Sequence, residues 1–360
     1  MSAFLPLRDA DTSCGAKAVA LGRLTRAGVA VPDGFVLPAG TGAGWERDLP
    51  GVLESLGGLH FAVRSSAVGE DGPEASYAGQ FHTSLNVPAS GVGEQVRRTA
   101  GAVAQAHAYA AAVGQPAPRG VAVIIQRMLT PDAAGVAFTH DPVTGQRVVV
   151  IEAVRGLGDR LVSGLASPER WRIATGEAPR CSAVREVLSP EQAVAVGQIA
   201  TRVEETLTGG QDVEWALVDG SPWVLQARPI TTTTPHRREP AGVPTYGAQR
   251  LASGTPASPG RVRGRLRLIS GLDDFSRFAP GEVLVCPHTS PAWTPLLARA
   301  AAVITAQGGV LSHAAIVARE LRIPAVTDVT SAMDLPDGAL VDVDGTRGII
   351  NAQGADDARR

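Results

Sequence analysis

The residues best suited to chemistry lie in a predicted β-hairpin, DVEWALVDGSPWVLQARPI at 212–230. If the ribbon folds symmetrically about its DGSP turn, Asp212 pairs with Arg228 and Glu214 pairs with Gln226. Side chains of equal parity project from one face of a ribbon, so these four share a face. Two carboxylates, an amide oxygen and a guanidinium suit Mg²⁺ and nucleotide phosphates. An exposed face with cross-strand ion pairs is the alternative.

The opposite face of the same ribbon is apolar and is predicted to pack into a core. With Gly220 at the centre of the turn, the odd-numbered residues point away from the polar set. They are Val213, Trp215, Leu217, Leu225 and Ala227. This division predicts a hairpin that forms one wall of a site.

Two glycine-containing loops have compositions that could hold a polyphosphate. In RSSAVGEDGPEASYAGQ at 64–80, Arg64 ends the predicted strand HFAVR, and small residues and Gly79 follow. Such residues let backbone N–H groups approach phosphate oxygens closely. GLG at 156–158 is a weaker match, and neither loop has Walker A or dinucleotide-binding spacing. Ordinary turns are the alternative for both loops.

Lys17 is the single lysine among 33 basic residues, the other 32 being arginine. A chain that uses arginine so consistently is expected to keep lysine where a compact ammonium is needed and a planar guanidinium does not fit. Chance retention at a surface position is the alternative. Lys17 is therefore a candidate functional residue.

His313 lies at the predicted start of a helix, in TAQGGVLSHAAIVARELRIPAV. Gly308 and Gly309 open a loop, and Ser312 is predicted at the N-cap of the helix. The positive end of the helix dipole favours a neutral imidazole, which is a nucleophile, and would stabilise an attached phosphoryl group. A capping or packing histidine is the alternative. The other six histidines are scattered, without metal-ligand spacing.

Helices and strands of mixed order are predicted to position these residues. Apolar spacing and composition predict helices over 15–28, 93–113 and 189–207, and a further helix after Ser312. Ser189 at the N-cap and Pro190 at the first helical position mark the start of the third helix. Besides the hairpin, the predicted strands include VPDGFVL and the segments 60–64, 121–129, 133–141, 147–154, 261–269, 282–286, 301–305 and 340–343.

The composition limits the classes of protein to consider. The chain has 360 residues, enough for two or three domains. Its 33 basic and 35 acidic residues nearly cancel, so no basic field attracts nucleic acid or anionic lipid. No apolar run approaches the about 18 residues of a membrane span, and no signal-peptide pattern opens the chain. The three cysteines are unclustered. A cytoplasmic protein with no nucleic-acid or membrane partner is expected.

Several segments resemble the ATP-binding domain of the pyruvate phosphate dikinase and phosphoenolpyruvate synthase family, which includes rifampin phosphotransferase. They are GAKAVALGRLTRAGVAVPDGFVL, AVRSSAVGEDGPEASYAGQFHTSLNV, GVAFTHDPVTG, GLGDRLVSG and DVEWALVDGSPWVLQARPI. GEVLVCPHTSPAWTPLLARAAAVITAQGGVLSHAAIVARELRIPAV resembles the family's swivelling phosphohistidine domain. The matches follow the family's order and cover most of the chain. The most specific are GG followed by SHAAIVAREL, and EW…LQARPI.

The resemblance implies a mixed α+β and α/β fold in which an ATP-grasp domain precedes a swivelling β/β/α phosphohistidine domain. The implied nucleotide-binding domain covers 1–235, and the phosphohistidine domain covers 251–352. Between them, 236–250 is expected to be a flexible linker, because 231–250 is polar, contains proline and lacks periodicity. The remaining residues, 353–360, form a polar tail.

The resemblance also implies a reaction and a role for each candidate residue. The family cleaves ATP between its α- and β-phosphates, leaving AMP, and moves a phosphoryl group onto the swivelling histidine and then onto an acceptor. His313 matches the phosphohistidine, and Glu214 and Gln226 match the Mg²⁺ ligands. Asp212 is expected to orient Arg228 or a metal-bound water. The full implied ATP-binding set is Lys17, Arg64, Gly79, Asp212, Glu214, Gln226 and Arg228.

Three departures from the family pattern concern the acceptor and the ATP site. The chain shows no counterpart of the acceptor barrel of the synthases or of the drug-binding domain of rifampin phosphotransferase, so the acceptor stays open. The stretch 38–59 is shorter than the family pattern leads us to expect, and this difference concerns the part of the chain that would close the ATP site. Asp159 stands where the family pattern leads us to expect glutamate.

The leading functional prediction is therefore an ATP-dependent phosphotransferase of the dikinase type, acting through a phosphohistidine on a small-molecule acceptor. The alternative is a phosphocarrier subunit that delivers phosphate to a separate acceptor-binding protein. A degenerate ATP-binding regulatory module is disfavoured, because every catalytic residue implied by the resemblance is present.

Overall fold

Helices and strands are interleaved along the chain in the computed structural model, which describes residues 2–68, 83–101, 103, 107, 117–162, 168–174, 177–181, 187–230, 249–310 and 312–352. The helices in these ranges are α1 (Gly15–Arg26), α2 (Leu49–Leu56), α3 (Ala89–Ala100), α4 (Asp159–Val162), α5 (Pro190–Leu207), α6 (Thr294–Leu297) and α7 (His313–Glu320). The strands are β1 (Leu5–Pro6), β2 (Gly34–Leu37), β3 (His60–Ala67), β4 (Thr83–Pro88), β5 (Val121–Arg127), β6 (Ala133–Phe138), β7 (Val149–Arg155), β8 (Glu169–Ile173), β9 (Arg180–Cys181), β10 (Gln211–Val218), β11 (Ser221–Pro229), β12 (Arg250–Ser253), β13 (Thr255–Ser258), β14 (Arg261–Leu268), β15 (Val283–Cys286), β16 (Ala302–Thr305), β17 (Ala325–Thr327), β18 (Leu340–Asp344) and β19 (Ile349–Ala352).

Within the described ranges, the strands form three sheets. The first has the order β1-β2-β5-β3-β4, and the second has the order β11-β10-β6-β7-β8-β9. The third has the order β12-β19-β18-β14-β15-β16-β17-β13. We call the part of the chain up to residue 230, which holds the first two sheets, the first unit. The part from residue 249 onward, which holds the third sheet, is the second unit.

Apolar side chains of both sheets give the first unit its cores. Helices α1 and α5 pack on the second sheet through Leu21, Val196 and Trp215, which are almost fully buried. Helices α2 and α3 pack on the first sheet through residues such as Val52 and Val96. The opposite face of the second sheet is therefore free to carry the polar side chains of the hairpin.

The hairpin of β10 and β11 has the predicted pairs at its open end. Asp212 lies opposite Arg228, and Glu214 lies opposite Gln226. This part of the prediction from the sequence is confirmed, and the four side chains share the face of the sheet that is turned away from α5.

The tip of the hairpin differs from the prediction. The turn is the two-residue loop Asp219–Gly220, with φ of 49° and 74°, and is not centred on Gly220. A bulge between Glu214 and Trp215 restores the register that the polar pairs need, because it leaves Leu225 as an extra residue. Val224 fills the core instead, whereas Leu225 lines a cavity. The prediction that Leu225 faces the core is therefore wrong.

Other element boundaries also differ from those predicted. Strand β3 continues to Ala67, so Arg64 lies within the strand and not at its end. Helix α3 begins at Ala89, four residues before the predicted start. Both N-cap predictions are confirmed: Ser189 forms a capping box with Gln192 at the start of α5, and Ser312 caps α7. Gly79 and residues 231–248 lie outside the described residues.

The second unit places His313 at the end of a parallel strand. Strands β14, β15, β16 and β17 run parallel, and α7 connects β16 to β17. The Gly308–Gly309 loop follows β16, so His313 lies at the carboxyl ends of these strands, where α/β sheets commonly bind ligands. Apolar cores cover both faces of the third sheet.

In the part of the chain that the structure describes, the helices are all too short or too polar to cross a membrane.

Candidate active site

A cavity of about 420 Å³ brings together candidate residues from both units. Pockets for small molecules typically occupy about 300–1,000 Å³. Of the residues predicted from the sequence, the cavity is lined by Lys17, Arg64, Glu214, Gln226, Arg228 and His313. Asp212 lies behind this wall and is not a lining residue, and Gly79 is outside the described residues.

The first turn of α1 faces the cavity and carries Lys17. The helix begins against β3: Gly15 has a φ of 75°, and a Cβ there would lie 2.4 Å from the Ser66 carbonyl oxygen. The Ser66 hydroxyl oxygen accepts a hydrogen bond of 3.1 Å from the Ala18 N–H. The positive end of the helix dipole disfavours a lysine in the first turn. An anion bound there is stabilised by the lysine ammonium and by the helix dipole together. The position therefore suits a phosphate.

Arg64 and Glu214 connect the two sheets across the cavity. Arg64 on β3 is only 9% exposed, and its Nη1 lies 3.4 Å from Glu214 Oε2 on β10. The Arg64 Nε is buried and has no hydrogen-bond partner among the described residues. A buried donor without a partner costs free energy, so a ligand oxygen at this donor would stabilise the site.

Arg228 is held in place by Asp212 on the neighbouring strand. The Arg228 Nε donates a hydrogen bond of 2.7 Å to Asp212 Oδ2, and Asp212 is 7% exposed. Burial opposes the charge of Arg228, but Asp212, with a smaller contribution from Glu214, raises the pKa of the guanidinium above its ordinary value. Arg228 is thus a fixed positive charge in the cavity wall, with donors left to bind an anion.

Glu214 and Gln226 fit a Mg²⁺ ion that is shared with a substrate. Their side chains are opposed on β10 and β11 and line the cavity, so a carboxylate and an amide oxygen face the same space. In the described residues, no cluster of three or more His, Cys, Asp or Glu side chains could hold a metal by itself. Mg²⁺ commonly binds through one or two protein oxygens together with phosphates and water, which agrees with this donor set.

His313 is a buried, neutral imidazole with two threonine hydroxyls beside it. It is 6% exposed, and burial lowers the pKa of His313 to about 4. The Thr289 hydroxyl lies 2.9 Å from Nδ1, and the Thr294 hydroxyl lies 3.4 Å from Nε2. If Nδ1–H donates to Thr289, the lone pair is on Nε2, which has the longer contact. This arrangement suits a nucleophilic Nε2.

The buried state of His313 predicts a pH dependence of stability. An exposed histidine has a pKa near 6.5, whereas burial lowers the pKa of His313 to about 4. The unfolded chain therefore binds more protons between these values, and stability falls as the pH drops below about 6.5. At pH 5 we expect the wild type to lose about 2 kcal/mol more than His313→Asn, relative to pH 7.5. Urea unfolding of both proteins at the two pH values measures this difference, and equal losses would contradict it.

Some residues that line the cavity or contact His313 were not predicted from the sequence. Thr289 and Thr294 precede His313 by about 20 residues, and only the fold of the second unit brings them to the imidazole. Gln126 lines the cavity from β5 and donates a hydrogen bond of 3.0 Å to the Pro32 carbonyl oxygen. A lone amide in the apolar strand VAVIIQRML was the only signal for it. Asp159, which stands where the family pattern has glutamate, also lines the cavity.

Comparison with known families supports the resemblance noted in the sequence. Residues 47–181 and 173–244 match the family "Pyruvate phosphate dikinase, AMP/ATP-binding domain". Residues 278–348 match "PEP-utilising enzyme, mobile domain". The chain belongs to the pyruvate phosphate dikinase and phosphoenolpyruvate synthase family. The predicted fold class, an ATP-grasp unit followed by a mobile-domain unit, is confirmed.

Individual relatives carry the same family name. The chain is 35% identical over 325 residues to a probable phosphoenolpyruvate synthase of Archaeoglobus fulgidus, covering 81% of this chain and 43% of that protein. It is 31% identical to a probable phosphoenolpyruvate synthase of Methanothermobacter thermautotrophicus, covering 93% and 61%. The phosphoenolpyruvate synthase of Pyrococcus furiosus is 34% identical, with coverage of 81% and 41%. The chain thus spans about two fifths to three fifths of these relatives' length.

Proposed function

We propose that this protein is an ATP-dependent phosphotransferase that transfers a phosphoryl group from ATP to His313 and from there to a second acceptor. The observation that carries the proposal is the shared cavity: His313 of the second unit lines the same space as Lys17, Arg64, Glu214 and Arg228 of the first. A nucleophile that faces several phosphate-binding groups is the arrangement that phosphoryl transfer needs.

In the proposed reaction, the residues of the first unit bind and orient the triphosphate. Lys17, together with the N-terminus of α1, neutralises phosphate charge, and Arg64 adds a guanidinium that lines the cavity. Arg228, held by Asp212, adds a guanidinium whose position is fixed before the substrate arrives. Such preorganised donors stabilise charge that develops on the phosphate oxygens during transfer.

Glu214 and Gln226 would hold Mg²⁺ against the phosphates. When bound, the ion supplies charge neutralisation and polarises the phosphoryl group toward attack. Glu214 also contacts Arg64, so the same carboxylate fixes a guanidinium and leaves oxygen atoms for the cation.

His313 is the nucleophile of the proposal. Its Nε2 lone pair attacks the β-phosphorus of ATP, the bond from that phosphorus to the α–β bridging oxygen breaks, and AMP leaves. The γ-phosphate is subsequently released to water as orthophosphate, which leaves a single phosphoryl group on His313. Burial keeps the imidazole unprotonated at neutral pH, and Ser312 and the start of α7 lie beside the anionic product.

The second acceptor is proposed to be a small molecule. Relatives named phosphoenolpyruvate synthase make pyruvate the first compound to test. The alternative is an acceptor bound by a separate protein, to which the second unit would carry the phosphoryl group.

The proposed chemistry is tested with ATP labelled at the β- or the γ-position. Incubation of the purified protein with Mg²⁺ and β-labelled ATP should label the protein, whereas γ-labelled ATP should release labelled orthophosphate, with AMP as the nucleotide product. A phosphoramidate is labile in acid and stable in base, which distinguishes it from a phosphoserine at Ser312. An acid-stable adduct, or ADP as the only nucleotide product, would contradict the proposal. Chase with pyruvate tests the acceptor separately.

Lys17→Arg should lower AMP formation at least about 10-fold, which corresponds to about 1.4 kcal/mol. The wider, planar guanidinium cannot replace a compact ammonium in the first turn of α1 without moving the phosphate. The matched control is Arg23→Lys on the same helix, where Arg23 Nη2 contacts the Thr206 carbonyl oxygen away from the cavity. Steady-state AMP formation measures the effect, and full activity in Lys17→Arg would show that the lysine is dispensable.

A further inference from the structure

A buried carboxylate outside the cavity joins the two units. Glu152 lies in the apolar strand β7 and is 0% exposed. Its Oε1 accepts a hydrogen bond of 2.6 Å from Arg170 on β8 and one of 3.0 Å from the backbone N–H of Val310 in the second unit. Val310 lies three residues before His313, so this contact holds the loop that leads to the nucleophile.

The second unit approaches this carboxylate so closely that any side chain at position 309 would displace it. A Cβ at Gly309 would lie 2.4 Å from each of the two carboxylate oxygens of Glu152. Gly309 does not have a positive φ, so its own backbone would accept alanine. The requirement for glycine at this position therefore comes from the contact with Glu152.

An apolar contact surrounds the polar one. Val310 packs with Val136, Phe138 and Val150 of the second sheet, and all four are at most 5% exposed. The guanidinium of Arg319 on α7 lies 5.8 Å from the Phe138 ring, in the range of a cation–π contact. The apolar packing supplies non-directional attraction, whereas the Glu152 hydrogen bond has a defined geometry.

Strand register relates Glu152 to the proposed metal ligands. Cross-strand pairs link Gln226 to Glu214, Glu214 to Val136, and Val136 to Glu152, so these side chains form one row across the second sheet. Neighbouring strands lie about 4.8 Å apart, which puts Glu152 about 10 Å from Glu214 along that row. A loop that contacts Glu152 is therefore held by the sheet about two strands away from Glu214 and Gln226, the proposed metal ligands.

We propose that Glu152 is a positioning residue that docks the Gly309–Val310 loop onto the second sheet and thereby brings His313 to the ATP-binding cavity. This inference rests on the proposed function only for its catalytic consequence, because the docking itself is a contact between the two units.

The second oxygen of Glu152 makes the docking reversible. Oε2 is buried and has no hydrogen-bond partner among the described residues. When the second unit departs, this oxygen gains water while Oε1 keeps Arg170, so the docked state carries a desolvation cost that the open state does not. A carboxylate with one satisfied and one unsatisfied oxygen thus locates the loop without holding it permanently.

The docked fraction can be measured as a distance between the units. Leu59 and Leu272 are 82% and 54% exposed and lie in different units. Spin labels on Leu59→Cys and Leu272→Cys, in the full chain with exposed Cys181 replaced by serine, report the distance, because the other cysteines, Cys14 and Cys286, are buried.

Glu152→Ala should lower the ratio of docked to undocked molecules at least about 10-fold, whereas Glu152→Gln, which keeps an oxygen acceptor for Val310, should change it by no more than about threefold. Gly309→Ala should also lower the ratio, but should add little in the Glu152→Ala background, because the two groups are in contact. The control is Asp141→Asn, since the ion pair of Asp141 with Arg172 lies within the first unit. An unchanged distance distribution in Glu152→Ala would overturn the proposal.

Kinetics separate this role from a structural one. Glu152→Ala should slow labelling of His313 at least about 10-fold while the Kd for ATP stays within about twofold, and Glu152→Gln should recover most of the rate. A loss of ATP affinity equal to the loss of rate would mean that Glu152 supports the first unit itself, and would also overturn the proposal. If the wild type forms no labelled histidine but the distance still depends on Glu152, the docking role holds and the proposed chemistry fails.

Discussion

Replacing His313 with alanine should abolish the acid-labile phosphoprotein, while the Kd for ATP stays within about threefold of the wild-type value. The imidazole is the nucleophile of the proposed reaction. In the described part of the chain, the hydroxyls of Thr289 and Thr294 have hydrogen bonds only with the imidazole, so they lose this base when it is removed. The groups proposed to bind ATP lie in the first unit and keep their positions. Labelling with β-labelled ATP and calorimetric titration with ATP measure the two effects.

His288→Ala is the matched control for this experiment. His288 lies next to Thr289 in the same loop but does not line the cavity. The variant should form the labelled adduct at the wild-type level within about threefold. If His313→Ala retained the adduct, or if His288→Ala lost it, the assignment of the nucleophile would be wrong.

Glu214→Ala should lower Mg²⁺-dependent AMP formation at least about 100-fold, because removing one preorganised charged group from a transfer site commonly has an effect of this size. The carboxylate is proposed to hold the Mg²⁺ ion and also contacts Arg64 at 3.4 Å. Its removal therefore takes a ligand from the ion and an ion-pair partner from the Arg64 guanidinium. Gln226→Ala should have a smaller effect, because an amide oxygen is a weaker ligand than a carboxylate. AMP release measured against Mg²⁺ concentration should show a higher requirement for the ion in both variants.

The fold should tolerate this change. The side chain of Glu214 is 31% exposed, but that of Arg64 is only 11% exposed and loses its partner, so we expect a cost of about 1–2 kcal/mol and a fall in Tm of no more than about 8 °C. Glu204→Ala is the control, since it removes another Arg–Glu ion pair of the first unit, Arg147–Glu204 at 3.3 Å, away from the cavity. A lowered Tm with an unchanged Mg²⁺ requirement would show that the polar face of the hairpin is structural.

The sequence predicted the polar face of the hairpin because alternation along a ribbon is a local property. The pairs of Asp212 with Arg228 and of Glu214 with Gln226 follow from the parity of their numbers and the position of the turn. The bulge at Leu225 could not be predicted, because an extra residue leaves no mark in the alternation of so short a segment. The predicted register at the site was nevertheless correct. The true turn shifts the pairing by one residue relative to the prediction, and the extra residue of the bulge shifts it back.

Contacts between distant segments account for most of what the sequence did not reveal. Glu152 reads as one acid in an apolar strand, and its role depends on a loop that lies more than 150 residues further along the chain. The sequence predicts a loop at Gly309, but a side chain there would meet a carboxylate of the other unit, which only the structure shows. Lys17 was singled out by composition alone, and the structure adds that it lies in the first turn of a helix that faces the cavity.

The tip of the hairpin is separated by the bulge at Leu225 from the cross-strand pairs that carry the functional side chains. The loop Asp219–Gly220 is exposed and lies at the far end of the ribbon from Glu214 and Gln226. Adding two residues to each strand next to this loop would lengthen the hairpin and leave every side chain on its present face, because side chains alternate with a period of two. Deleting Leu225 alone would remove the bulge and its local bend, because Gln226 would then follow Val224 directly and stay opposite Glu214. The tip is therefore a suitable place to insert an epitope or a reporter domain.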